Sequence, residues 1–370
     1  MRVLVLNVGS SSIKGSVVDS PSLAALARAE VSLGADATKR GNLRRTVENL
    51  IRKLGGAAEV EAVGHRVVHG GTRFRSAVRI DARVLKGIEE LAVFAPLHNR
   101  LAAQGIRAAR LRLPGVPEIA AFDTAFHATL AEDQFLYPVP SRWQRQAGIR
   151  RFGFHGLSVE WSVGRAAELL GRPADQLAIV VAHLGSGCSV TAVLNGRSVA
   201  TSMGLTPMEG LMMGTRSGSV DPGILLHMLR TRRMGWRELE EVLDHQSGLV
   251  GVYGRAAGMR EIEKAAGAGN ERARLAIDMF VGRTAAGMAA VGTALPRLDA
   301  LVFTGGIGEH SASVRSAVAR RLSALGIAPV PARDVRNDAV ISDPGDGVAV
   351  LRVEAREDAV VASQAARLLQ

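Results

Sequence analysis

Arg2-Val3-Leu4-Val5-Leu6-Asn7-Val8-Gly9-Ser10-Ser11-Ser12-Ile13-Lys14-Gly15-Ser16-Val17-Val18-Asp19 reads as a strand, a tight polar turn and a returning strand. Aliphatic and β-branched residues fill the first run, residues 9–12 are turn chemistry, and residues 13–18 resume an extended pattern. The pattern comes back about half a chain later. Residues 177–182 are an apolar run, His183-Leu184-Gly185-Ser186-Gly187 is the turn, and residues 189–194 are the returning strand. Laid over Asn7-Val8-Gly9-Ser10-Ser11, the second turn brings Gly and Ser to matching places, which points to a duplicated unit. A third stretch, Leu301-Val302-Phe303-Thr304 and then Gly305-Gly306-Ile307-Gly308-Glu309, predicts a strand and a glycine turn, with helix over 313–325 directly after.

Between these landmarks the pattern predicts helices over 46–54, 82–92 and 158–170, the last stopped by Gly171-Arg172-Pro173. A buried strand over 118–122 ends at Asp123, and the tail over 357–369 is an amphipathic helix expected to pack on the first half. At 370 residues two domains are expected rather than one core. Mixed strands and helices with a hairpin at the head of each half predict two α/β domains around a cleft, closing over a ligand.

Composition narrows the function classes. Hydrophobic residues make up 47% and charged residues 22%, as in globular enzymes. The net charge of +11 rests on scattered arginines, with only five lysines and 4% aromatics. Nucleic-acid binders cluster their charge and interleave aromatics, so no nucleic-acid partner is expected. Cys188 is the single cysteine, so no intrachain disulfide forms and a reducing compartment fits. The N-terminal apolar run is interrupted early, so neither a signal peptide nor a membrane span is expected there, and the location expected is cytoplasmic.

Glycine-rich turns let backbone N–H groups approach phosphate oxygens where no Cβ intervenes. Residues 9–12, 185–187 and 305–308 are three such turns, although each alone also suits a plain hairpin or cap. No Gly-Lys-Ser/Thr motif is present, so a P-loop is not expected, and no Gly-x-Ser-x-Gly elbow supports hydrolase chemistry. Arg66 lies inside a strand-like apolar stretch and Arg216 in a small-residue loop. A planar guanidinium suits bidentate grip on carboxylate or phosphoryl oxygens, and a structural ion pair is the other option for each. Asp123 ends a strand, where open α/β sheets meet ligands. His155 stands between aromatic and glycine neighbours and suits either a structural or a chemical role.

Seven segments occur in order: Asn7-x-Gly-Ser-Ser-Ser-x-Lys14, Gly64-His65-Arg66-Val67-Val68-His69-Gly70-Gly71, Pro96-Leu97-His98-Asn99, Phe122-Asp123-Thr124-Ala125-Phe126-His127, Gly153-Phe154-His155-Gly156, Gly214-Thr215-Arg216-x-Gly-Ser219 and Gly306-Ile307-Gly308-Glu309. Together they resemble the acetate kinase family over essentially the whole chain. The resemblance implies two related actin-like and sugar-kinase-like (ribonuclease H-like) α/β domains around a central cleft. Residues 1–127 with the C-terminal helix 358–370 would form the N-terminal acyl-kinase domain, and 128–357 the nucleotide-binding domain.

The activity implied is a phosphotransferase reaction with a carboxyl acceptor, in which acetate or propionate and ATP give acyl phosphate and ADP. Arg66, Arg216, His155 and Asp123 match the family's catalytic residues, and Asn7 and Glu357 the positions that organise Mg2+ (or Mn2+). Lys14, His183, Gly185, Ser186, Gly187, Arg260, Gly305, Gly306, Ile307 and Gly308 match nucleotide-binding positions. Val68, Leu97, His98, Phe154 and Pro207 match a small apolar acyl pocket. A homodimer is implied, with carboxylate and nucleotide as small-molecule partners and no membrane partner. Ser186, Gly258, His310 and Arg356 depart from the residues usual in the family. A different phosphoryl donor, such as pyrophosphate, and a non-catalytic nucleotide-binding relative are the competing readings.

Overall fold

Alternation along the first strand decides where the first sheet's two cores lie. In β1 (Arg2–Val8), Leu4, Leu6 and Val8 point to one face and Val3 and Val5 to the other, and all five are buried. The computed structural model describes residues 1–9, 12–33, 40–55 and 59–370, with only the backbone of Arg40, Gly41 and Leu97. Ser10 and Ser11, the centre of the first expected turn, lie outside the described residues. The chain divides into two compact units. Unit 1 comprises Met1–Ala128, Phe154–Trp161 and Arg356–Gln370, and unit 2 comprises Thr129–Gly153 and Ser162–Ala355.

Unit 1 holds β1, β2 (Ser12–Asp19), β3 (Ala25–Ser32), β4 (Ala62–Val67), β5 (Val78–Arg79) and β6 (Glu118–Phe122), in the order β3-β2-β1-β4-β6-β5. β1, β4 and β6 run parallel, while β2, β3 and β5 are antiparallel to their neighbours. Unit 2 holds β7 (Ala178–Leu184), β8 (Cys188–Leu194), β9 (Arg197–Thr201), β10 (Ala300–Thr304), β11 (Ala339–Val340) and β12 (Ala349–Arg352), in the order β11-β12-β10-β7-β8-β9. Here β7, β10 and β12 are the parallel set. Read from the opposite edge, the second sheet repeats the first strand for strand. The duplication expected from the Gly-Ser turns is a property of both whole sheets.

One face of the first sheet is covered by helix Arg40–Lys53, through Leu43, Val47, Leu50 and Ile51, and by helix Pro96–Arg112. The helix expected over 46–54 starts earlier because its apolar stripe, at helical spacing, already begins at Leu43. The other face is covered by the C-terminal helix Glu357–Leu369, whose Val360, Val361, Ala362 and Ala365 pack on Val3, Val5, Val18 and Ala62. That helix lies close because β4 has Gly64 beneath it. A Cβ there would stand 2.5 Å from Val361 Cγ1.

In unit 2 every residue of β10 is buried. Helix Glu271–Gly292 buries Ala273, Ala276, Phe280, Val281, Thr284, Ala285, Met288 and Val291, a stripe of helical period. By length and composition it is also the one described helix apolar enough to cross a membrane, and it is part of this unit's core. The glycine turn expected at 305–308 is instead helix Gly305–His310. Gly305 takes φ +76°, a left-handed conformation that turns the chain straight from β10 into helix. The helix expected over 313–325 ends earlier, as Ala312–Arg321 and a 3-10 turn at Ser323–Leu325.

Unit 1 recovers a short piece of chain, Phe154–Trp161, and fastens it at two points. His127 Nε2 donates to the Phe154 carbonyl at 2.9 Å, and Gly156 N–H donates to the Asp123 carbonyl at 2.9 Å. Between these bonds His155 has φ +57°, unusual for a residue with a Cβ. Complete burial lowers the His127 pKa to about 4, against the Phe154 bond and the Asp123 charge, which raise it.

Two expectations follow. Gly64→Ala forces its Cβ against a buried, β-branched neighbour, so the urea midpoint falls by the equivalent of about 1–3 kcal/mol with an unchanged slope. Pairing it with Val361→Ala recovers part of the loss, and an unmoved midpoint would show that the helix stands further off. For His127, the unfolded chain binds more protons between its value of 6.5 and the folded value of about 4. The stability it contributes is whole above pH 6.5 and is lost as pH falls through that window, about 3 kcal/mol in all. His127→Gln therefore flattens the stability–pH profile there, as measured by urea unfolding at stepped pH. An unaltered slope would mean that His127 titrates normally.

Candidate active site

In each unit several of the expected site residues sit at the carboxyl ends of the parallel strands, where open α/β sheets meet their ligands. Asn7 is near the end of β1, Arg66 near the end of β4, and Asp123 directly follows β6. Parallel pairing sets Arg66 beside Ala121 and Val67 beside Phe122, and Asp123 N–H donates to the Val67 carbonyl at 3.0 Å. The arginine and the aspartate are thereby held on adjacent strands.

Arg66 and Asp123 form a bidentate pair, Nε to Oδ1 at 2.8 Å and Nη2 to Oδ2 at 2.7 Å. Asp123 is 2% exposed at its side chain and Arg66 only 16%, so the pair is largely removed from water. Glu357, first residue of the C-terminal helix, reaches Arg66 Nη1 with Oε2 at 3.6 Å. Burial disfavours the guanidinium's charge, but Asp123 and Glu357 outweigh it and hold its pKa above the ordinary value. Lys14 pairs in register with Asn7 and is exposed. Of the acyl-pocket residues in this unit, Phe154 is buried, Val68 and His98 are half-buried, and the Leu97 side chain lies outside the described residues. Phe154 meets the buried His69 ring edge-on at 5.5 Å.

In unit 2, His183 ends on β7 beside the turn Gly185-Ser186-Gly187. A Cβ added at Gly185 would lie 3.7 Å from His183 Nε2 and 3.9 Å from Gly306 N, so two glycine segments and the histidine share one place. Gly305 could not carry a side chain, since its Cβ would press within 2.8 Å of the Leu184 carbonyl. Gly306 has open space where its Cβ would be. Cys188 is buried under the turn, its Sγ donating to the Gly185 carbonyl at 3.3 Å, and burial pushes its pKa up to about 12. Arg216 donates from Nε to Asp244 Oδ1 at 2.7 Å and from Nη1 to the Pro207 carbonyl at 3.3 Å. Arg260 is exposed in helix Met259–Gly267. A cavity of about 860 Å³ lies beside that helix, lined by Arg255, Glu261, Lys264 and Asn270 among others, and none of the expected site residues lines it.

Several residues outside the expected set support the site. Arg151 donates through Nη1 to the carbonyls of Thr201, Ser202 and Met203, at 3.2, 2.9 and 3.1 Å, and through Nη2 to Glu209 at 2.9 Å. Tyr137 donates to the same Glu209 and accepts from Leu205 N–H at 3.0 Å. These bonds fix the start of the loop that carries Pro207 and Arg216. Asn99 brackets His69, accepting from its N–H at 3.1 Å and donating to its carbonyl at 2.9 Å. Three of the departures from the family pattern, Ser186, Gly258 and His310, stand at exposed positions. The fourth, Arg356, pairs with Asp358 at 2.8 Å and donates to the Leu23 carbonyl.

No group of three or more His, Cys, Asp or Glu among the described residues could cage a metal ion. Asn7 and Glu357 offer oxygen donors, and both Asp123 oxygens are already engaged by Arg66. So sparse and oxygen-only a set suits magnesium, which keeps several waters and binds through one or two carboxylates plus substrate phosphates.

The family model described as the Acetokinase family matches residues 2–363. An acetate kinase from Deinococcus deserti is 45% identical, over 100% of this chain and 98% of its own. The crystal structure of Porphyromonas gingivalis acetate kinase superposes with TM-score 0.90 at 35% identity, covering 100% of both chains. A propionate kinase from Francisella tularensis superposes with TM-score 0.88 at 34% identity, covering 99% of both. With a bidentate arginine–aspartate pair at the sheet edge of one unit and a glycine cradle at that of the other, the chain belongs to the acetokinase family.

Proposed function

We propose that the chain catalyses reversible phosphoryl transfer between ATP and acetate, with propionate as a second acceptor, giving acyl phosphate and ADP. The observation that carries this reading is the buried Arg66–Asp123 pair with Glu357 beside it, on a chain of this family. In the forward direction a carboxylate oxygen attacks the γ-phosphorus, the bond to the β,γ-bridging oxygen breaks, and its electron pair leaves on ADP. Such a transfer needs alignment and charge neutralisation above all.

Arg66, Arg216 and His155 are assigned to the oxygens of the migrating group. A carboxylate is already ionised near pH 7, so the attacking oxygen has no proton to lose. Asp123 spends both oxygens on Arg66, which supports the role of orienting the arginine rather than acting as a general base. Asn7 and Glu357 would hold Mg2+ (or Mn2+), which when bound neutralises phosphate charge. His183, Gly185, Ser186, Gly187 and Gly305 to Gly308 are assigned to the nucleotide phosphates, with Lys14 and Arg260 also on the nucleotide. Val68, Leu97, His98, Phe154 and Pro207 are assigned to the acyl group.

A homodimer is supported by helices Pro222–Thr231 and Trp236–His245, which contain no buried residue. Ile224, Leu226, Leu229 and Trp236 stand exposed on them. The cytoplasm suits an enzyme that draws on ATP and has one buried, unpaired cysteine.

Trapping acyl phosphate with hydroxylamine, with ATP and pyrophosphate supplied separately, tests the reaction. Hydroxamate is expected with ATP and acetate; none with ATP would end the reading. In the same assay Arg66→Ala loses about 10²-fold or more in kcat. Asp123→Asn also falls steeply because Arg66 loses its charged partner, and undiminished turnover in it would remove Asp123 from the machinery. In sedimentation velocity the wild-type protein runs as a dimer, and Leu226→Glu with Trp236→Glu shifts it to monomer. A wild-type monomer would refute that assignment.

A further inference from the structure

We infer that Asp244 is the positioning residue for Arg216, setting the direction in which that guanidinium presents its free N–H groups. The inference rests on the phosphoryl-transfer reading for what Arg216 does, and on geometry alone for the contact.

Asp244 lies 28 residues beyond Arg216, in the last turn of helix Trp236–His245, and no motif marks it. Its Oδ1 accepts the Arg216 Nε–H at 2.7 Å, and the two side chains are 22% and 21% exposed. The Pro207 carbonyl takes one Nη1–H. A guanidinium has five N–H donors in a fixed plane. Among the described residues Nη2 has no hydrogen-bond acceptor, so its donors stay available to an anion. The other Asp244 oxygen faces His245 Nε2 at 3.6 Å, which fits a single contact rather than the bidentate one at Arg66.

What distinguishes this pair from a surface ion pair is the backbone beneath it. Ordinary surface pairs join two wandering side chains and contribute little. Here the segments bearing the two residues are laced together. Ser217 N–H donates to the Leu243 carbonyl at 3.0 Å, Ser247 N–H to Thr215 at 2.9 Å, Leu249 N–H to Met213 at 2.9 Å and Val250 N–H to Gly214 at 3.0 Å. The Thr215 hydroxyl donates to the carbonyl of Asp244 itself at 2.8 Å. Gly248, at φ +61°, permits this approach, because a Cβ there would lie 2.3 Å from the Met213 carbonyl oxygen and 2.6 Å from that of Arg216. The carboxylate is therefore delivered to Nε by fixed backbone. Each proposed catalytic arginine in the chain has an aspartate on its Nε, Asp123 for Arg66 and Asp244 for Arg216.

The test uses the full-length protein with Asp244→Ala and Asp244→Asn, read in two ways. Asparagine keeps an oxygen for Nε and alanine does not. The alanine variant is expected to lose about 10–100-fold in kcat, the cost of a misplaced reacting group, with the KM for ATP within about 3-fold. The asparagine variant is expected to keep kcat within about 5-fold of wild type. The second readout is the Arg216 Nε–H resonance, identified by its loss in Arg216→Lys. It shifts in the asparagine variant, where the acceptor is neutral, and exchanges faster with solvent in the alanine variant. An alanine variant with wild-type kcat, an asparagine variant as slow as the alanine one, or a resonance indifferent to Asp244→Asn would each overturn the inference. Should alanine prevent folding, the asparagine resonance decides. A wild-type protein that makes no acyl phosphate would sink the functional reading, and the resonance would still judge the Asp244 contact.

Discussion

A guanidinium buried to the extent of Arg66 keeps its place only if its charge is answered, and Asp123 answers it through both oxygens. Two charges taken from water are costly unless geometry is good and the remaining polar atoms are satisfied. Parallel strands supply that geometry. β4 and β6 are neighbours in fixed register, so the last residues of one and the first residue after the other meet without depending on a flexible loop. Removing Arg66 strands the buried Asp123 carboxylate, and removing Asp123 leaves the guanidinium with Glu357 alone at 3.6 Å. Asn99 secures His69, Thr124 accepts from Gly70 N–H, and the 154–156 segment is bound to Asp123 and His127.

The same arrangement recurs in unit 2 with different chemistry on the same scaffold. Its sheet repeats the strand order of the first, and its carboxyl edge carries glycines where the first carries charge. Backbone N–H groups need bare Cα atoms to approach phosphate, while a small anion needs side chains that reach it. One duplicated framework thus offers a backbone-lined edge and a side-chain-lined edge.

Much of this was legible in the chain itself. The Gly-Ser turns at 9–12 and 185–187 exposed the duplication because a hairpin's local chemistry is written in consecutive residues. Arg66, Asp123 and Arg216 stood out as charges in apolar or small-residue surroundings. Their partners did not. Asp244 and Glu209 sit in ordinary helical or loop sequence, and only folding brings them to Arg216 and Arg151. The return of residues 154–161 to unit 1 was equally invisible, since no composition shift marks either crossing. Gly305 read as part of a turn because glycine breaks helices, yet its positive φ here starts one.

The discontinuity of unit 1 bears on how the chain is made. Val3 and Val5 share their cluster with Leu157 and with Val360, Val361, Ala362 and Ala365, so one face of the first sheet stays incompletely covered until those distant residues have been made. At ordinary elongation speeds that interval is on the order of 20–70 s. Unit 2, drawn from two internal stretches, has all its residues earlier. The packing of the first sheet thus waits on residues that follow those of unit 2 in the chain.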